Sequence, residues 1–544
     1  MDNVIILALN SKYIHSSLAP WYLKAEVPTS MVLEHTVNEN VYAVAEDVLI
    51  RKPKILAISV YIWNVEYAEK LLAVIKEKSP ETVTVVGGPE VSYNAKDVLD
   101  RCNFIDYVIS GEGELPFLEL CKYVLHGEKS PLNGISYGDN IAEPYIGSGT
   151  PKSPYTEEYF KNLNGRIAYF ESSRGCPYSC AYCLSGRCEG LRFFDIEYVR
   201  ENLVKLANGG SKTIKFVDRT FNSDRKRAID IFSFIIEKSG VDFPSDVCFH
   251  FELSGDLLDD ETISVLKRAP SGLFQFEIGI QSFCRETINA IHRVTKNEIL
   301  KDRISQLVAL GNAHVHTDLI AGLPYENYTS FINSFNEAYS LGANMLQLGF
   351  LKILHGTELE DRAVEYGFEY SDKPPYEVYQ TPWLSANEFS LLKITENAVD
   401  RLHNSQRFKR TIALCLPLFE SAYDFFFECG KAIKDTHTLD ELTDKLYEFL
   451  GEFFKDDTEL LRDALVCDRL ATNSSKGLPS SIYRPDVRIA KVKKALNEDD
   501  NMAEKKNVRR NIAILYGAKK AVYADYDVKN HSGEYKLGFT EYEI

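Results

Sequence analysis

The stretch "ESSRGCPYSCAYC", Glu171 to Cys183, places three thiols, Cys176, Cys180 and Cys183, within eight residues. Short spacers bring the sulfurs onto a common side, the arrangement that wraps one soft metal centre. Gly175, Pro177 and Ser179 mark an irregular loop, which is poor ground for three buried core cysteines. Structural zinc normally takes four ligands in two pairs, and no second Cys/His pair follows. Cys188, in "SGRCEG", is read as a bystander. Three thiolates on an iron–sulfur cubane would leave one iron open to a substrate or cosubstrate.

Periodicity on either side of the loop sets the fold class. Before it, "VIILALN", "MVLEHTV" (31–37), "ILAISVY" (55–61), "TVTVVGG" (82–88) and "FIDYVIS" (104–110) alternate with helical patterns such as "NVEYAEKLLAVIKEK" (64–78). Five such units predict an open parallel sheet covered on both faces, an α/β flavodoxin-like (Rossmann-type) domain over residues 1–137. Residues 138–165 are rich in Pro, Gly, Ser and acids and read as a linker.

From 166 to 381 the runs "RIAYFES", "TIKFVDR", "VCFHFEL", "LFQFEIGI", "VHTDLIAG" and "MLQLGFLKI" recur between helical patterns. Six βα units predict a partial (β/α)6 barrel. Asp218, Glu252, Glu277 and Asp318 fall near the strand ends, where such barrels carry their chemistry. Residues 382–544 predict a mainly helical domain, with a hairpin over 521–544 turning at "HSGE".

The Cys-x3-Cys-x2-Cys spacing, with Tyr182 before the third cysteine and a position after the first barrel strand, resembles the radical S-adenosylmethionine (SAM) superfamily. "VDRTFN" (217–222), "FEIGIQS" (276–282) and "DLIAGLPYE" (318–326) are similar to its later strand-end segments. The resemblance implies that Cys176, Cys180 and Cys183 hold a 4Fe–4S cluster. Its open iron would chelate SAM, and one electron from a donor such as flavodoxin or ferredoxin would cleave SAM to a 5′-deoxyadenosyl radical. By the same analogy Tyr182, Glu252, Glu277 and Gln281 face SAM, and Gly322 and Pro324 shape the loop under its adenine.

"SVY" (59–61) and "VVGGPE" (85–90) end the third and fourth strands on small residues. These and "SGEGE" (110–114) resemble the cobalamin-binding domain of cobalamin-dependent radical SAM proteins, along about 380 residues. Together with "KYIHSSLAPWYLKA", "YIWNVE" and "ESSRGCP", they resemble a branch of that class whose substrates are not established. Ser59, Tyr61, Gly87 and Gly88 are the cobalamin candidates. The motif Asp-x-His-x-x-Gly, whose His can ligate cobalt, is replaced by "YIHSSL" (13–18). His15 keeps its place without the Asp that would orient it. It is therefore read as a hydrogen-bonding residue, with cobalamin bound base-off.

The formal charge of −17 argues against a general nucleic-acid coat. With no secretory leader and no apolar run of spanning length, a cytoplasmic, oxygen-sensitive enzyme is expected. The leading reaction is methylation of an unactivated carbon, on a small molecule or another substrate that the sequence does not name. The alternatives are a radical SAM cyclase or rearrangement enzyme, an RNA methylthiolating enzyme, and a non-catalytic cobalamin or iron–sulfur sensor. The methylthiolating class needs a second three-cysteine set, and the first domain offers only Cys102 and Cys121.

Overall fold

The computed structural model describes residues 3–128, 133–187, 190–472, 477–498, 512–529 and 533–541. Cys188, and the first two residues of the expected "HSGE" turn, lie outside them.

The first sheet contains β1 (Val4–Asn10), β2 (Met31–Thr36), β3 (Ile55–Ser59), β4 (Val83–Gly87), β5 (Tyr107–Ile109) and β6 (Ile135–Ser136). Its order is β2-β1-β3-β4-β5-β6; β1 to β5 pair in parallel, and β6 adds an antiparallel edge. Every residue of β1 is buried, because helices cover both faces of the sheet. Strand order reverses between β1 and β3, and ligands of such sheets sit at the carboxyl ends beside that reversal. Ser59 and Gly87 occupy those ends, paired in register.

The segment 138–165 is more structured than a linker. It carries the helix Glu157–Leu163, started by Thr156, whose side chain accepts the Tyr159 amide at 3.3 Å. Tyr159 is buried against the edge of Trp21, with ring centroids 5.5 Å apart, so the helix is packed onto the first domain.

The second sheet holds β7 (Ala168–Phe170), β10 (Thr213–Phe216), β11 (Cys248–Leu253), β12 (Phe274–Gln281), β13 (His314–Ala321) and β14 (Met345–Phe350). These six parallel strands run in the order β14-β13-β12-β11-β10-β7. An antiparallel pair, β8 (Ser173–Gly175) and β9 (Leu191–Phe193), brackets the cysteine loop. Alternate side chains such as Phe216, Phe249, Phe251, Phe274 and Phe276 are buried in the apolar core. Burying each ring fully contributes about 1.5–3 kcal/mol. Lys215, His250, Glu252, Glu277, His316 and Asp318 take the intervening positions and give the opposite face its polar character.

Two joints tie the domains. Ile167 donates its amide to the Ile14 carbonyl at 2.9 Å, and residues 14–16 run parallel to the start of β7. Arg166 pairs with Glu34 at 2.7 Å, with side chains only 5% and 6% exposed. On the other side, the Tyr376 hydroxyl donates to Glu90, which follows β4. Tyr376 lies just before β16 (Val378–Gln380), which pairs with β15 (Glu369–Tyr370).

Beyond residue 382 the chain is mainly helical. The helix Leu439–Gly451 starts on a reciprocal cap between Thr438 and Glu441. In place of a lone hairpin there are three antiparallel strands, β17 (Ile512–Leu515), β18 (Lys520–Lys529) and β19 (Tyr535–Glu541). β17 is only four residues long, too short to announce itself in sequence.

Candidate active site

The cysteine loop is shaped by backbone contacts. Gly175 has φ +91, and a Cβ there would lie 2.1 Å from the Gly190 carbonyl oxygen, so only glycine lets β8 and β9 meet. The Cys183 amide donates to the Cys180 carbonyl at 3.0 Å, and the Ala181 amide to the Ile291 carbonyl at 3.0 Å. These bonds hold the loop against the segment that follows β12.

Cys176, Cys180 and Cys183 are free thiols lining one cavity of about 210 Å³. Tyr178 and Tyr182 share its wall with Arg219, Thr220, Glu252, Ser254, Glu277, Gly279, Gln281, Arg293 and Asp318. Burial pushes the Cys180 thiol up. Three converging thiols, with no disulfide among them, are a donor set that fits an iron–sulfur cluster.

The two glutamates of the wall behave oppositely. Burial pushes Glu252 up to about 7, so it is partly protonated at neutral pH. Burial opposes ionisation of Glu277 as well, but His250 at 3.0 Å, Lys215 at 3.2 Å and His316 nearby hold it down to about 2. Gln281 sits at φ +70 with Oε1 buried and unpartnered. A Cβ at Gly279 would lie 2.2 Å from Gln281 Nε2, so glycine there is what lets Gln281 fold into the wall.

Arg293 donates to the Tyr182 hydroxyl at 3.3 Å and to the Gly279 carbonyl, linking the cysteine loop to β12. Sequence reasoning missed it, because "AIHRV" carries no motif signal. Arg219 was present within "VDRTFN" without being singled out.

Gly322 and Pro324 do not line the cavity. Gly322 (φ +93) lies under Phe389 of the helix Ala386–Ala398, whose Cζ would stand 2.8 Å from an added Cβ. Its smallness is used for packing against the C-terminal helices.

In the first domain, Tyr61 stacks on Trp63 with centroids 4.4 Å apart and planes at 8°, and Trp63 is half exposed. Burial raises the Tyr61 phenol, and its hydroxyl feels the charges of Arg219 and Glu171. A Cβ on Gly88 (φ +111) would stand 2.5 Å from the Val60 carbonyl oxygen, and one on Gly87 3.1 Å from that of Ile109. The atoms these glycines spare are the chain's own backbone, so their smallness already serves the packing of the sheet's end. The small Ser59, with the half-exposed Trp63 beside it, fits a bulky planar group at this edge. His15 Nδ1 lies 2.7 Å from the Tyr169 hydroxyl, the hydrogen-bonding part read for it in sequence, and burial lowers its pKa.

Family models match in three places. The B12 binding domain covers residues 5–121, the radical SAM superfamily 170–338, and a protein family of unknown function (DUF4080) 364–531. The chain is a radical SAM protein with a B12 binding domain. Its cofactors are those of that class: SAM, a 4Fe–4S cluster and cobalamin. It is 28% identical over 378 residues to the cobalamin-dependent radical SAM methyltransferase TokK of Streptomyces tokunonensis, covering 64% of this chain and 54% of that protein. It is 27% identical over 320 residues to the 2-(S-pantetheinyl)-carbapenam-3-carboxylate methyltransferase of Streptantibioticus cattleyicolor, covering 54% and 46%. The chain spans about half the length of these curated relatives. Among solved structures, the cobalamin-dependent SAM radical enzyme OxsB with aqua-cobalamin shares the fold at TM-score 0.59 and 16% identity, over 86% of this radical SAM chain and 79% of that one. Among the described residues, no helix is long and apolar enough to cross a membrane.

Proposed function

We propose that this radical SAM protein methylates an unactivated carbon of a small molecule, with SAM and cobalamin as cosubstrate and cofactor. When bound, the cluster and SAM supply hydrogen abstraction from carbon, and cobalamin supplies the methyl group. The observation that carries the reading is the meeting of two regions: Arg174, two residues before Cys176, pairs with Glu112 and Glu114 of the B12 binding domain.

The chain's own residues position and shield. Cys176, Cys180 and Cys183 provide three thiolates on one side of the cavity. Arg293 fixes Tyr182 beside them, setting the cavity's outer wall. Glu252, whose carboxyl burial pushes up to about 7, would accept hydrogen bonds from the ammonium of SAM and would be held ionised by that charge. Gln281 offers its unpartnered Oε1 to a ribose hydroxyl. The stacked Tyr61 and Trp63 would border the planar ring of cobalamin. Cys102 and Cys121 are buried in the first domain, so no second three-thiolate site forms there as an RNA methylthiolating enzyme would need.

Anaerobic reconstitution with iron, sulfide and methylcobalamin, then reduction with SAM, tests the proposal. The expected result is 5′-deoxyadenosine together with loss of the methyl group from cobalamin on adding substrate. 5′-Deoxyadenosine with cobalamin unchanged would favour a cyclase or rearrangement; a similar protein of Rubrivivax gelatinosus is named as an anaerobic magnesium-protoporphyrin IX monomethyl ester cyclase. Cofactor binding with no SAM turnover would favour a sensor.

A further inference from the structure

We propose that Glu277, His316 and Asp318 bind a divalent transition-metal ion at the floor of the cavity, separate from the cluster. The three sit on adjacent strands: Glu277 on β12, His316 and Asp318 two apart on β13, facing the same side. One ligand atom from each lies within 4.8 Å of the other two.

The contacts among them are not those of a hydrogen-bonded network. His316 Nε2 stands 2.8 Å from Asp318 Oδ1, yet neither atom, though buried, has a hydrogen-bond partner. The His316 side chain is only 9% exposed. The two atoms stand at ion-pair distance without hydrogen-bond alignment, an arrangement that a cation held by both donors would satisfy. Neighbouring ligands at about 2.1 Å from a metal are separated by about 3.0–3.4 Å, so the 2.8 Å pair would open slightly around an ion.

Lys215 donates to Glu277 Oε2 at 3.2 Å, which leaves Oε1 for an ion. His250 Nε2 also lies 3.0 Å from that Oε2, again without hydrogen-bond alignment, and does not occupy Oε1. One imidazole with two carboxylates suits Zn²⁺ or Mn²⁺ better than Mg²⁺ or Ca²⁺, which favour all-oxygen sets. Glu277 and Asp318 both line the cavity, so the remaining coordination positions open into it. There the ion would take an oxygen donor of the substrate, a carboxylate or hydroxyl, and fix the carbon presented for reaction.

The site needs neither cluster nor SAM, so it is tested without them. Full-length Cys176→Ala/Cys180→Ala/Cys183→Ala protein, cobalamin-free and stripped with chelator, is titrated with Zn²⁺ and with Mn²⁺. We expect one equivalent bound, a rise in thermal midpoint on binding, and at least tenfold weaker binding in Asp318→Asn and His316→Gln. Pulsed electron paramagnetic resonance of bound Mn²⁺ in the same parent should show a single imidazole nitrogen coupling. A parent that binds no ion, or Mn²⁺ with no nitrogen coupling, overturns the proposal whether or not the variants fold.

Discussion

Arg174, two residues before Cys176, sets its Nη1 2.6 Å from the carboxylate of Glu112 in the B12 binding domain. Its other nitrogens reach Glu114 at 2.5 Å and Glu171 at 2.9 Å, and Arg192 also pairs with Glu112 at 2.7 Å. The "SGEGE" stretch is thus a brace for the cysteine loop, supplied by the other domain. Arg174→Met leaves several enclosed carboxylates short of a cation, at a cost of about 3–5 kcal/mol. The expected result is a lower thermal midpoint and a substoichiometric cluster, with partial recovery in Arg174→Lys. Unchanged iron content and stability would show that the brace is dispensable.

Single Cys176→Ala, Cys180→Ala and Cys183→Ala variants should each lose the broad iron–sulfur absorption or the cleavage of SAM. Cys188→Ala should keep both. Equal loss at all four positions would mean a closed four-thiolate centre.

Gly88→Ala should destabilise the first domain in the absence of cobalamin. Its positive φ costs about 1–3 kcal/mol for a side-chain-bearing residue, and the new Cβ also drives into Val60. Thermal unfolding of the cobalamin-free protein measures this, with Ser59→Ala as the mild control. A variant as stable as the parent that fails only to bind cobalamin would show that the glycine clears space for the ligand instead.

Glu326 gives the pH dependence a sign. It accepts hydrogen bonds from Ser282 at 2.6 Å and Ser334 at 3.0 Å, and burial pushes it up from 4.5 to about 7. The folded state therefore favours the protonated form. Its stabilising effect is complete below about 4.5 and is lost as pH climbs towards 7, up to about 3 kcal/mol in all. Glu326→Gln should match the parent near pH 5 and exceed it in thermal midpoint at pH 8. A constant difference across that range would show that the carboxyl does not titrate within the fold.

The parts legible in sequence were those written as local pattern. The cysteine spacing and the period-two and helical patterning led to the two sheets, and the Ser59 and Gly87 strand ends fall at the strand-order reversal. Positions settled by distant chain were not legible. Gly322 looks like a loop-shaping glycine until Phe389, 67 residues onward, is seen resting on it. Arg293 has no neighbours in sequence that mark it, and its role comes from Tyr182, more than a hundred residues earlier. The polar face formed by Lys215, His250, Glu277 and His316 was half visible, because only residues near the predicted strand ends drew attention.

Residues 14–16, lying along the start of β7, bear on how such a protein could be recombined. The barrel cut from its partner would expose a bare backbone margin at Ile167 and an Arg166 stripped of Glu34, an invitation to edge-to-edge aggregation. A chimera that grafts another B12 binding domain onto this barrel must therefore carry the 13–16 loop and Glu34 with it. The natural unit of exchange is the pair of domains, not either one.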